Sequence, residues 1–296
     1  MTDAPKPPLV PQQGEPGTIA VDVGGKQQAP GSYVAKQAAT TPKLRLSDLG
    51  VTYIGRDGRA TEAVREVTLD IVDKPGVGEI VVFLGPSGCG KSTILKSVAG
   101  LLPPTRGEVL VDGEPVNGVS RERGMVFQTY TSFAWMTVRD NLEYGPRLHG
   151  VPKHERRALS DKYLQAVGLD EFADAYPKDL SGGMKQRVAI ARTLINKPKL
   201  VLMDEPFGAL DPQTRWGMQS LLLDVSRTED NTILFVTHDV SEAVYLADTI
   251  YVLAARPTHI LHRVDVPFFE NRDIALKSAM EFRNVEKKVL DMLYAK

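Results

Sequence analysis

Ile80-Val81-Val82-Phe83-Leu84-Gly85-Pro86-Ser87-Gly88-Cys89-Gly90-Lys91-Ser92-Thr93 is the stretch that decides the fold of this chain. Five apolar residues in a row read as a strand buried on both faces. The run from Gly85 to Ser92 is a complete phosphate-binding loop, and Thr93 to Ala99 reads as the helix that should follow it. Glycines let backbone N–H groups turn inward with no Cβ in the way, and the helix N-terminus adds partial positive charge. Gly85, Pro86, Ser87, Gly88, Cys89, Gly90, Lys91, Ser92 and Thr93 are therefore candidate nucleotide-binding residues. Lys91 can reach β- and γ-phosphates, and the Ser92 hydroxyl can ligate Mg²⁺. Cys89, near a helix N-terminus and Lys91, is expected to carry a reactive thiol that bound Mg-ATP would protect.

Outward from the loop, 296 residues allow one large α/β domain with an insert and an appended tail. Thirty-six basic residues balance 37 acidic ones, so there is no electrostatic footprint for nucleic acid. One cysteine rules out an internal disulfide framework and fits a reducing compartment. No apolar run approaches the ~20 residues of a membrane span, so any membrane role is expected to come through a partner. Seven prolines and five glycines make up more than a quarter of residues 1–42, which reads as a disordered N-terminal tail.

From Leu44 on, strand-like and helix-like segments alternate. Leu44–Leu46, Val51–Ile54 and Val67–Val72 suggest an N-terminal antiparallel β region. The loop helix ends at Gly100 and Pro103-Pro104, and short strands are expected at Gly107–Gly113 and Met125–Phe127. Val138 to Ala175 is helical by pattern. Further strands are expected at Leu200–Met203, Thr232–Thr237 and Thr249–Leu253, with helices near Gly183–Ile195, Arg215–Ser226 and Val240–Ala247. Phe282, Val285, Val289, Leu290 and Leu293 recur at helical spacing and read as a packing face. The fold class is thus α/β: a phosphate-loop NTPase core with a mixed or parallel sheet, an N-terminal antiparallel β region and an inserted all-helical subdomain.

Two further sites carry chemistry. Leu200-Val201-Leu202-Met203-Asp204-Glu205 is a buried strand ending in two carboxylates. Strand alternation sends adjacent side chains to opposite faces, which suggests different tasks for the pair. Asp204 suits Mg²⁺, and Glu205 suits the orientation and deprotonation of an attacking water. In Leu180-Ser181-Gly182-Gly183-Met184-Lys185-Gln186-Arg187, Ser181 is a good helix N-cap, and Gly182 and Gly183 expose N–H groups for a second anion.

With these motifs in this order, the chain resembles the ABC (ATP-binding cassette) ATPases over roughly Leu44 to Arg263. The resemblance is sharpest with importer subunits of the nitrate, sulfonate and taurine type, through Trp135-Met136-Thr137-Val138 and Pro206-Phe207-Gly208-Ala209-Leu210-Asp211. It implies that Lys91, Gln128, Glu205 and His238 are catalytic. Gln128 would reach Mg²⁺ with Ser92 and Asp204, His238 would contact the γ-phosphate, and Tyr53 would stack on adenine. Ser181, Gly182 and Gly183 would reach the ATP of a second copy in a head-to-tail dimer.

The implied cofactors are ATP and Mg²⁺, and the implied partners are transmembrane permease subunits and an extracytoplasmic substrate-binding protein. The implied place is the cytoplasmic face of the inner membrane. Lipid handling, export or a non-transport nucleotide switch are the alternatives. Long coiled-coil insertions and paired cassettes, marks of translation-factor and DNA-repair relatives, are missing. Ala134 stands where such importers usually carry Pro, which bears on the substrate group. The domain boundaries are expected at 1–42, 43–265 (helical insert about 129–180) and 266–296. Tyr130, Phe133, Trp135 and Met136 are expected to form the permease contact.

Overall fold

The computed structural model describes residues 18–20, 41–72, 78–228, 231–268 and 272–294. In chain order the strands are β1 (Thr18–Ala20), β2 (Leu44–Ile54), β3 (Ala60–Ile71), β4 (Glu79–Leu84), β5 (Arg106–Val111), β6 (Glu114–Pro115), β7 (Arg123–Val126), β8 (Leu200–Asp204), β9 (Thr232–Thr237), β10 (Thr249–Leu253) and β11 (Ile260–Asp265). The α-helices are α1 (Lys91–Ala99), α2 (Val138–Leu148), α3 (Lys153–Ala166), α4 (Gly182–Leu194), α5 (Pro212–Thr228), α6 (Val240–Leu246) and α7 (Met280–Tyr294).

The main sheet has the order β1-β11-β10-β4-β9-β8-β7. Its centre is parallel, β10 beside β4, β4 beside β9, β9 beside β8 and β8 beside β7, while β11 runs antiparallel to β10. A second, antiparallel sheet is ordered β3-β2-β5-β6.

Side-chain alternation on the apolar strands builds two cores. Ile80, Val82 and Leu84 of β4, Val201 and Met203 of β8, and Ile233 and Phe235 of β9 join one core with α2 to α7. Val81, Phe83, Leu200, Leu202, Leu234 and Val236 face the other way, onto α1 and the antiparallel sheet. Continuous apolar runs are required because each central strand is covered on both faces. The carboxyl ends of β4, β8 and β9 therefore open at one rim, where α1 begins, which is the usual ligand position of an open α/β sheet.

Several expectations change in detail. Leu44–Leu46 and Val51–Ile54 are one strand, β2, whose register shifts twice between Leu46 and Val51. Asp48 takes a left-handed φ of 51° at this irregularity. Thr18–Ala20, inside the expected tail, pairs in parallel with Arg263–Asp265 of β11. The rest of residues 1–40 lies outside the described residues, as do Lys74 to Val77. On α7, Phe282, Val285 and Val289 are buried, but Leu290 is exposed, so the packing face is narrower than expected.

Candidate functional site

Ser92 and Asp204 meet first. The Ser92 hydroxyl, on the first turn of α1, donates to Asp204 Oδ1 at 2.7 Å, joining the phosphate loop to the end of β8. Burial raises the Asp204 pKa above the usual carboxylate range; the Ser92 hydrogen bond opposes this, and neighbouring Glu205 adds to it. A hydroxyl and a desolvated carboxylate are hard oxygen donors of the kind that hold Mg²⁺ together with substrate phosphates and water. The residues present fit that ion.

Glu205 is the centre of the second cluster. Its Oε2 accepts from Gln128 Nε2 at 3.4 Å and lies 3.1 Å from His238 Nδ1. Its Oε1 is 3.7 Å from Lys91 Nζ. Lys91 is buried, and Nζ also donates to the carbonyls of Gly85 and Pro86, both at 2.9 Å. Strand alternation is not what separates Asp204 from Glu205. Glu205 lies just past the end of β8 with φ of 44°, a left-handed turn that swings it out while its N–H bonds the Val236 carbonyl. Such a conformation in a non-glycine residue costs about 1–3 kcal/mol.

Tyr53, at the end of β2, is 42% exposed, and its hydroxyl is 3.2 Å from Thr93 Oγ1. Its ring thus stands open beside the loop helix, in place to stack on a planar base. Cys89 departs from expectation. The thiol is 2% exposed and packs toward Gly85, and the Cys89 N–H closes a turn on the Pro86 carbonyl. A ready reaction with maleimide is not compatible with that burial.

Ser181 caps α4, its hydroxyl accepting from the Met184 N–H at 3.3 Å. Gly182 has a steric reason besides its N–H group: a Cβ there would stand 2.3 Å from the Tyr130 hydroxyl oxygen. The aromatic cluster after Gln128 therefore divides. Tyr130 leans on Gly182, and Phe133 packs on Tyr144 and under the Arg192 guanidinium, 4.3 Å from its ring centroid. Trp135 is 72% exposed.

Sequence reading missed the residues that tie these parts together. Gln186 Nε2 donates to the Phe127 carbonyl and Arg192 Nη1 to the Thr131 carbonyl, so α4 grips both sides of the Gln128 segment. Behind His238, Thr237 Oγ1 donates to Glu242 Oε2 at 2.6 Å, Gln219 Nε2 to Glu242 Oε1 at 3.2 Å, and Lys277 Nζ to Gln219 Oε1 at 3.2 Å. The C-terminal segment thereby reaches the base of the His238 turn. Its other anchor is Arg272, which donates to the carbonyls of Leu246 and Ala247 and pairs with buried Asp248 at 2.5 Å. No signal in the sequence marks these long-range partners, although the Ser181 N-cap is readable locally.

The family described as "ABC transporter" matches residues 67–208. An uncharacterized ABC transporter ATP-binding protein of Methanocaldococcus jannaschii is 47% identical over 88% of this chain and 94% of its own length. The nitrate import ATP-binding protein NrtD of Synechocystis sp. is 44% identical over 84% and 94%, and the taurine import ATP-binding protein TauB of Roseobacter denitrificans 41% over 85% and 94%. Among solved structures, a dimeric ATP-binding cassette in a post-hydrolysis state, bound to ADP and Pi, superposes with a TM-score of 0.65. It is 31% identical and covers 75% of this chain and 98% of its own.

Proposed function

The chain belongs to the ABC transporter family of ATP-binding proteins and is an ATPase, and we propose that it works as a head-to-tail dimer powering a separate membrane permease that imports a small anion of the nitrate, sulfonate or taurine class. The observation that carries the reading is the placement of Glu205 between Lys91, Gln128 and His238, beside the Ser92–Asp204 pair. Nitrate and taurine import by NrtD and TauB support the substrate class.

In this reading Lys91 exchanges the Gly85 and Pro86 carbonyls for β- and γ-phosphate oxygens, and Tyr53 stacks on the base. Ser92, Asp204 and Gln128 would hold Mg²⁺, which would supply charge neutralisation to the phosphates. Glu205 orients and deprotonates the attacking water, held in place by Gln128 and His238, and His238 senses the γ-phosphate. Ser181, Gly182 and Gly183 complete the site of the second copy. The support for the dimer is the assembly of the solved cassette. Among the described residues no helix is long and apolar enough to cross a membrane. A peripheral position through permease subunits, with an extracytoplasmic binding protein feeding them, suits that finding.

The test is reconstitution of the full chain with its permease and binding protein in vesicles, following ATP-dependent uptake of labelled nitrate and taurine. Uptake of either, lost in Trp135→Ala with intrinsic ATP binding retained, is the expected result. Trp135 is the most exposed member of the aromatic cluster, and an interface Trp commonly carries ~2 kcal/mol or more of binding. Robust ATPase activity with no uptake of any small anion would overturn the substrate class.

A further inference from the structure

The phosphate loop is braced from outside by the turn between β10 and β11. Thr258, fully buried, donates its hydroxyl to the Cys89 carbonyl. Arg256, exposed at the tip of the same turn, donates Nη2 to the Gly88 carbonyl at 3.0 Å. The turn is itself fixed to β3: the Thr258 N–H bonds the Ala63 carbonyl at 3.0 Å, and the Arg65 N–H bonds the Thr258 carbonyl at 2.9 Å. Gly90 is pressed against this brace. A Cβ on it would lie 2.6 Å from Thr258 Oγ1 and 2.8 Å from the Ala63 carbonyl oxygen, and its φ of 130° is glycine territory besides.

A trans peptide plane points its C=O and its N–H in opposite directions. Holding the Cys89 carbonyl outward on Thr258 therefore turns the Gly90 N–H toward the concave side of the loop. Holding the Gly88 carbonyl on Arg256 steadies the preceding plane, whose Cys89 N–H is taken up within the loop by the Pro86 carbonyl. The Gly90 N–H is then oriented before any nucleotide arrives and the loop around it is steadied, so less ordering remains to be done on binding.

We propose that Thr258, with Arg256 as its exposed companion, is a positioning residue for the phosphate loop and sets the affinity of this site for nucleotide phosphates. The proposal rests on reading Gly85–Ser92 as the phosphate site. Arg256 also places a positive charge at the loop's edge, so its share of the effect should weaken with salt.

The experiment uses the full chain and compares Thr258→Val, Thr258→Ser, Arg256→Ala and, as a control, Lys91→Ala. It measures ADP affinity by titration calorimetry, the KM and kcat for Mg-ATP, and the melting temperature without nucleotide. Thr258→Val should weaken ADP binding and raise the KM for ATP about tenfold, the value of one lost orienting hydrogen bond, while kcat at saturation stays within about twofold. Thr258→Ser should restore both. Arg256→Ala should raise KM about threefold at low salt and less at high salt. A lower melting temperature in Thr258→Val with unchanged ADP affinity and KM would overturn the proposal. If Lys91→Ala also leaves affinity unchanged, the phosphate-site reading falls with it. Should Thr258→Val fail to fold, Arg256→Ala decides, and salt-independent, parental KM in that variant overturns the proposal.

Discussion

Replacing Glu205 by Gln isolates the proposed role of base from the shape of the site. A glutamine carbonyl oxygen can take the place of Oε2 toward Gln128 and His238, leaving the amide nitrogen on the side of Lys91. The Lys91 contact is the one lost. It is long, at 3.7 Å, and Nζ keeps the Gly85 and Pro86 carbonyls at 2.9 Å. The cost to the nucleotide-free protein is therefore on the order of 1 kcal/mol or less. The left-handed backbone at position 205 is as open to Gln as to Glu, so the turn persists.

What disappears is the proton acceptor. A positioned general base contributes about 10²–10⁴-fold, equivalent to roughly 2.7–5.4 kcal/mol of barrier. Single-turnover hydrolysis of Mg-ATP should slow by that factor. ATP affinity, measured by equilibrium titration, should stay within about fivefold, and a dimer should accumulate in size-exclusion runs with Mg-ATP. Turnover within about threefold of the parent would remove Glu205 from the role. Equal losses in binding and in rate would mean that it serves the fold instead.

Asp204→Asn should abolish Mg-dependent hydrolysis yet raise the melting temperature of the nucleotide-free protein at neutral pH. The raised pKa means that ionised Asp204 costs stability above its folded value. That advantage of Asn should shrink as pH falls through the raised pKa and vanish below the ordinary carboxylate range; a pH-independent difference would refute the burial argument. Arg272→Ala leaves Asp248 buried without its cation, a loss of about 3–5 kcal/mol, or roughly 10 °C in melting temperature. A shift under about 2 °C by calorimetry would mean the C-terminal segment is not anchored there. Maleimide should modify Cys89 on the order of 100-fold more slowly in the native protein than in denaturant, because the thiol must wait for local opening. Labelling at the denatured rate would contradict its burial.

Much of the fold was legible because its signals are local. An apolar run long enough for a strand, a glycine loop and a capped helix follow one another within 20 residues, and each is decided by its own neighbours. The same holds for the carboxylate pair at the end of β8 and for Ser181 at the start of α4. The merging of two expected strands into β2 was not legible, because the bulge that joins them depends on which partner residues of β3 and β5 lie opposite. Leu290 shared the helical period of its neighbours, but the width of the face that packs is set by the surface α7 meets.

By itself, then, the sequence determined the phosphate loop, the order of the motifs and the layered α/β architecture, since backbone propensity and apolar periodicity act over short stretches. Only the tertiary structure decided that Ser92 and Asp204 touch, that Glu205 turns out toward Lys91 and His238, and that Cys89 is closed off. It also decided that Thr258, 169 positions from Cys89, holds the loop's outer edge. Such contacts follow from which strands become neighbours in the sheet, and that is settled by burial of the whole core rather than by any segment of it.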